Sequence, residues 1–85
     1  MIKVGQIYKE VNFPLYVVTK VEHSNFPKMD RVHYICRNGE VMGGNRKKFE
    51  HSVKMGKIDK ENYPVLIAEY PTWQEAVNSK EFKGE

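Results

Sequence analysis

Alternation of apolar and polar side chains is strongest in two runs near the middle of the chain, residues 15–22 and 31–37. Both runs are rich in β-branched and aromatic residues, which is typical of half-buried strands. The period of two predicts one core-facing side for each strand. In the first strand this side consists of Leu15, Val17, Thr19 and Val21, and in the second it consists of Val32, Tyr34 and Cys36.

The second run is followed by Asn38-Gly39 and then by residues 40–42. Asn-Gly favours a type I′ hairpin turn, in which both central residues have positive φ. We therefore expect a three-stranded antiparallel meander at the centre of the protein. Gly43-Gly44 is expected to stop or bend its third strand.

Two further runs extend this sheet. Residues 1–10 predict a first strand, in which Gly5 marks a bulge, a sharp bend or a close backbone approach. Residues 65–70 are the most apolar run in the chain and predict a buried closing strand that ends at Pro71. The result is an α+β fold, mainly β, with about five strands forming a small antiparallel barrel over residues 1–70.

A single helix is predicted after the strands, at about residues 72–82. Thr72 and Glu75 have the spacing of a capping box, in which each side chain bonds a backbone N–H of the first turn. Trp73, Ala76 and Val77 fall on one helical stripe. We expect the helix to dock on the barrel through Trp73 and Val77, because a helix of about ten residues is marginal alone in water.

Residues 46–56 support two interpretations. Asn45 suits an N-cap, Phe49 and Val53 have the i,i+4 spacing of a helix, and Gly56 suits its C-terminal end. However, the first turn would be basic, which the helix dipole opposes. We interpret the stretch as strand before Glu50 and as helix or turn after it.

The connection over residues 23–30 is a loop by composition, yet it contains Phe26 and Met29. These side chains either fold back onto the barrel or present an apolar tip to a partner. Folding back is the commoner outcome and is our expectation.

The composition predicts one domain spanning residues 1–85. Hydrophobic residues make up 40% and charged residues 29% of the chain, which is ordinary for a globular protein. No apolar run reaches the roughly 18 residues of a membrane span, and no signal-peptide pattern follows Met1. Cys36 is the single cysteine and is expected to be a small buried hydrophobe. These features predict a cytoplasmic protein without a membrane partner.

Catalytic patterns are sparse. The three histidines are scattered, one cysteine is too few for a usual zinc site, and no phosphate loop or nucleophile motif is present. We therefore expect a non-enzymatic protein with no catalytic residues, no metal and no cofactor.

Positive charge is concentrated in residues 45–60, which hold six basic residues against two acidic ones. The candidate surface for nucleic acid or for an acidic partner consists of Arg46, Lys47, Lys48, Lys54 and Lys57. Basic side chains beside aromatics suit phosphate backbones, and we expect Tyr8, Tyr16 and His33 to face outward nearby. A solvated lysine-rich face that serves solubility is the alternative interpretation. Tyr16 and Phe26 are the candidate partner-facing aromatics.

The layout resembles SH3-like small barrels in its opening residues 4–8, its strand at residues 16–21, the Asn38-Gly39 hairpin and residues 65–70. It is also similar to small proteins of unassigned function in Gram-positive bacteria and their phages. There a Val-Gly-x-x-Tyr opening, a Tyr-Val-Val-x-x-Val strand and a Thr-Trp-x-x-Ala helix recur. The C-terminal helix and the basic residues 45–57 depart from plain SH3-like modules.

SH3-like barrels bind peptides, RNA, DNA or other proteins, so the resemblance implies a binding module. We expect a protein partner, which for a phage protein would be a host factor. The alternative is a nucleic-acid-binding module that uses residues 45–57. The sequence leaves the oligomeric state open.

Overall fold

The computed structural model describes residues 2–26 and 29–84. Within these ranges the chain forms one sheet and three helices. The elements, in chain order, are β1 (Gln6–Glu10), β2 (Phe13–Glu22), β3 (Arg31–Cys36), β4 (Val41–Asn45), α1 (Arg46–Gly56), β5 (Val65–Glu69), α2 (Trp73–Val77) and α3 (Lys80–Lys83).

The five strands pair in the order β4-β3-β2-β1-β5, and every neighbouring pair is antiparallel. The central meander β2-β3-β4 is confirmed, as is the mainly-β character of the fold. The sheet is not closed, because β4 and β5 lie at opposite edges. The SH3-like barrel therefore stays a prediction.

Helices cover both faces of the sheet. On the face covered by α1 (the α1 face), the buried side chains are Ile2, Tyr8, Tyr16, Val18, Val32 and Cys36. On the face covered by α2 and α3 (the α2 face), they are Ile7, Val17, Ala76 and Phe82. The expectation of one core side for β2 was therefore wrong, since a middle layer buries both sides of its central strands.

A β-bulge at Thr19 also changes which side of β2 faces which helix. Val18 pairs with Tyr34 and Lys20 with His33, so Thr19 is an extra residue on β2. One extra residue shifts the alternation by one position. Val21 consequently packs with Val18 on the α1 face and not with Val17.

The β3–β4 turn is tight but is not the expected type I′ turn. Gly39 has φ +89°, whereas Asn38 is not in the left-handed region. The Gly39 N–H donates to the Cys36 carbonyl at 2.9 Å, and the Cys36 N–H donates to the Glu40 carbonyl at 2.8 Å. The turn thus has three loop residues with glycine in the left-handed position. Strand β4 continues through Gly43 and Gly44, which was not expected.

Helix α1 begins at Arg46, so the strand interpretation of the residues before Glu50 was wrong. The Asn45 side chain accepts a hydrogen bond from the Lys48 N–H at 3.1 Å, which confirms it as the N-cap. Phe49 and Val53 pack on the α1 face. Gly56 is the last helical residue, and a Cβ there would overlap the Pro64 carbonyl oxygen. The cap and this packing outweigh the unfavourable basic first turn.

The predicted C-terminal helix forms as two short helices. Thr72 is confirmed as the first N-cap, because its hydroxyl accepts from the Glu75 N–H at 3.1 Å. The Ser79 hydroxyl accepts from the Phe82 N–H at 3.3 Å and caps α3. Docking on the sheet is confirmed, but Ala76 and Phe82 are the buried anchors.

Trp73 and Val77, the expected anchors, are only half-buried. Arg37 in the β3–β4 turn holds the end of the chain in place. Its guanidinium donates to the carbonyls of Phe82 and Glu81.

Strand β5 is an edge strand and not the buried strand that was expected. Leu66 is 43% exposed and Ile67 is 42% exposed. Gly5 directly precedes β1 and makes a close backbone approach, one of the three roles that its sequence position predicted. It has φ +93°, and a Cβ there would overlap the Tyr70 carbonyl oxygen.

Candidate functional site

The tyrosines expected on the outer surface form the core of the α1 face instead. Tyr16 is 1% exposed, and its ring centroid lies 4.6 Å from that of Tyr34 and 5.9 Å from that of Tyr8. The Tyr16 hydroxyl donates to Glu10 Oε1 at 2.7 Å, and burial raises the pKa of Tyr16 strongly. Tyr8 is equally buried, which raises its pKa to about 12. Tyr16 is therefore not a partner-facing aromatic.

His33 is half-buried and paired, so it is not a free outward group either. Its Nε2 lies 2.8 Å from Glu22 Oε2, and Lys20 Nζ lies 3.0 Å from Glu22 Oε1. The hydrogen bond with His33, together with Lys20, lowers the pKa of Glu22 to about 2. This cluster links β2 to β3 on the sheet surface.

The loop between β2 and β3 exposes its apolar side chains. Phe26 is 67% exposed and Met29 is 64% exposed, so the expected folding back was wrong for both. The Met29 N–H donates to the Phe26 carbonyl at 2.7 Å. Phe26 thus keeps the exposure that a partner-facing role requires, whereas Tyr16 does not.

Arg46, the first residue of the predicted basic surface, is occupied by local contacts. Its Nε donates to Glu50 Oε1 at 3.0 Å, and its Nη1 lies 3.5 Å from Asp30 Oδ2 and contacts the His23 ring. Only 20% of the side chain is exposed. Arg46 therefore ties the start of α1 to the β2–β3 loop and is not available to a phosphate.

The four lysines of the predicted surface are exposed, and Lys54 and Lys57 line one cleft of about 370 Å³ together with Arg46. Lys47 and Lys54 are two helical turns apart on one side of α1, whereas Lys48 lies on another side. Lys57 follows the end of the helix, next to β5. None of them makes an ion pair with any residue that the structure describes.

The most distinctive surface lies along β5, where sequence reasoning predicted a buried strand. We call β5 and the two clefts beside it the β5 edge. The first cleft has a volume of about 390 Å³ and lies on the α1 side; its walls include Tyr8, Val53, Lys57, Lys60 and Leu66. The second has a volume of about 310 Å³, and its walls include Lys9, Val11, Lys60, Glu61 and Ile67.

The signal that could have located the β5 edge is the length of the apolar run. The strand has five residues, Val65–Glu69; Pro64 directly precedes it, and Pro71 follows closely. A run so short and so bounded by proline suits an edge position as well as a buried one.

Groups that would indicate catalysis or metal binding do not come together. Across residues 2–26 and 29–84, no three His, Cys, Asp or Glu side chains form a possible metal site. Cys36 is buried, its Sγ lies 3.8 Å from Met42 Sδ, and burial raises the pKa of its thiol. No helix in the described part of the chain has the length and apolar character needed to cross a membrane.

Comparison of the chain with protein-family models, with curated proteins and with solved structures gave no match.

Proposed function

We propose that the protein is a small non-enzymatic binding module that engages a protein partner through the β5 edge. The observation that carries this proposal is the exposure of Leu66 and Ile67 on β5, which no strand in the described part of the chain pairs with on its outer side. Extended segments of other proteins add to such edges, since backbone hydrogen bonds supply affinity and flanking clefts supply specificity.

β5 is short and flanked by Pro64 and Pro71, but within the strand few of the features that usually prevent edge pairing are present. Edge strands are commonly blunted by an internal lysine, a proline or a β-bulge. Residues 65–69 contain no lysine and no proline, and the strand carries one bulge at Ile67, where Leu66 pairs with Tyr8 and Ala68 with Ile7. An edge that is apolar on both sides and so lightly protected favours a partner strand.

The resemblance to SH3-like barrels, and to small phage and Gram-positive proteins, is consistent with this proposal. If the protein is a phage protein, the partner on the β5 edge is a host factor. The cytoplasm is the compartment that we propose for this encounter.

The test is capture of a protein partner from lysate treated with nuclease, using the natural chain and two matched variants. Ile67→Lys places a charge in the middle of the β5 edge, while the lysine stem still covers apolar surface. Val41→Lys introduces the same side chain on the other edge strand, where Val41 is 71% exposed. We expect the natural chain and Val41→Lys to retain the same protein, and Ile67→Lys to lose it.

Two results would overturn the proposal. One is that no protein is retained once nucleic acid is removed. The other is that Ile67→Lys retains the same protein as the natural chain, given that circular dichroism shows both variants folded.

A second candidate function, binding of nucleic acid, is favoured by the exposure of Lys47, Lys48 and Lys54 without ion pairs. Arg46 is held by local contacts and Lys57 lies beside β5, so about three phosphate contacts remain, and log K should fall with log salt at a slope near −3 on duplex DNA. Fluorescence anisotropy on duplex and single-stranded oligonucleotides measures this slope. Replacing the three lysines by alanine should abolish it, and no binding at about 100 μM protein in low salt would exclude this candidate.

A further inference from the structure

Lysines surround the β5 edge on both sides of the strand. Lys57 and Lys60 border the first cleft, and Lys9 and Lys60 border the second. All three side chains are exposed, and none forms an ion pair with a residue that the structure describes. The opposing acids are Glu61, in the wall of the second cleft, and Glu69, which accepts a hydrogen bond from the Gln6 side chain at 3.3 Å.

The floor between these lysines is mainly apolar. On the α1 side it includes Tyr8, Val53 and Leu66, with Gln6 beside them. On the other side it includes Val11 and Ile67, and Val65 lines both clefts. Side chains of an added strand alternate between the two faces of the sheet. Each cleft would therefore receive every second side chain of a strand that pairs with β5.

From this arrangement we propose that the occupant of the β5 edge is an acidic extended segment of a partner protein. It adds as a sixth strand, places apolar side chains in the two clefts and pairs its carboxylates with Lys9, Lys57 and Lys60. This inference rests on the proposed function and specifies the chemistry of its partner.

Charge complementarity selects this occupant over the alternatives. A second copy of the chain would bring the same three lysines with only Glu61 and Glu69 to oppose them, so the junction would carry an excess of positive charge. The phosphates of a nucleic acid strand could pair with the lysines, but a nucleic acid has no side chains that alternate between two apolar clefts. An acidic strand with apolar side chains pairs with the lysines and also fills the two clefts.

The experiment uses three capped nonapeptides that differ only in charge. In the first, Val-Val and Glu-Glu pairs alternate, so that each face of the added strand carries both valine and glutamate; in the second, glutamine replaces glutamate; in the third, lysine replaces it. Each is titrated into the ¹⁵N-labelled full-length protein, and amide chemical shifts are followed. The glutamate peptide should shift the amides of residues 65–69 and should bind at least about 10-fold more tightly than the glutamine peptide. The lysine peptide should not bind.

Lysine variants test the contacts directly. Lys57→Ala and Lys60→Ala should each lower the affinity for the glutamate peptide about 2- to 5-fold, because exposed charge pairs contribute little individually. Lys48→Ala is the matched control on the far side of α1 and should change nothing. Raising the salt concentration should weaken binding of the glutamate peptide and leave binding of the glutamine peptide nearly unchanged.

Three outcomes would overturn the inference. The first is equal binding of the glutamate and lysine peptides, and the second is a set of shifted amides confined to β4 or α1. The third is a stable dimer, seen by sedimentation, that Ile67→Lys disrupts, since a second copy would then be the occupant.

Failure here and failure of the proposed function give different results. If the lysate experiment captures a protein through Ile67 but the glutamate peptide does not bind, the module function stands and the acidic chemistry is wrong. If neither experiment shows binding, the module function itself is wrong.

Discussion

Truncating Phe49 to alanine should show that α1 is held by tertiary packing on the tyrosines of the sheet. The Phe49 ring centroid lies 5.2 Å from that of Tyr8 and 6.1 Å from those of Tyr16 and Tyr34. Phenylalanine-to-alanine changes in a core cost about 3–5 kcal/mol. Because Phe49 is half-buried, we expect a loss of about 2–4 kcal/mol.

This loss would be a large part of the total. A chain of this length has a free energy of unfolding of about 4–13 kcal/mol. Alanine is also the better helix former, by about 0.5 kcal/mol, so the local effect of the substitution opposes the loss. Any destabilisation must therefore come from the contacts with the tyrosines.

Urea unfolding measures the effect with two probes, far-ultraviolet circular dichroism for the whole fold and Trp73 fluorescence for the opposite face of the sheet. The midpoint should fall by at least about 1 M, and both probes should report the same transition. His51→Ala, on the exposed side of the same helix, is the control and should change stability by less than about 0.5 kcal/mol. A Phe49→Ala midpoint no lower than that of the control would refute the packing of α1.

Two other predictions concern the chain end and the buried tyrosines. Arg37→Ala removes the donors to the carbonyls of Phe82 and Glu81, so amide hydrogen exchange in α3 should accelerate and the free energy of unfolding should fall by about 1 kcal/mol. Unchanged exchange in α3 would show that Arg37 does not hold the end of the chain. Burial raises the pKa of Tyr8 to about 12, and that of Tyr16 further, so their contribution to stability is complete below pH 10 and is lost as the pH rises from 10 toward 12. Two of the five tyrosines should then ionise only as tertiary structure is lost, and free titration of all five near pH 10 in the folded protein would contradict this burial.

The strands and helix caps were predictable because their signals are local. The alternation in β2 and β3 and the Thr72 capping box depend on residues a few positions apart. In each case one stretch of sequence contains the whole physical cause.

The features that were not predicted from the sequence depend on contacts between residues far apart in the chain. Tyr16 appeared outward because alternation assumes one buried face, whereas α1 and α2 bury both. The exposure of β5 follows from its place in the strand order, which no periodicity encodes. Arg46 appeared to be a free cation because two of its three partners, Asp30 and His23, precede it by 16 and 23 residues. The third partner is Glu50. The candidate site moved from the basic helix to the sheet edge for these reasons.

The central claim is that a partner's strand pairs with β5, and amide hydrogen exchange measured on the complex with the captured protein tests it most directly. Backbone N–H groups that gain a strand neighbour become hydrogen-bonded and exchange more slowly. Binding should slow exchange in residues 65–69; Ile67→Lys should abolish this effect, and Val41→Lys should preserve it. Unchanged exchange across β5, with new protection confined to β4 or to α1, would contradict the claim.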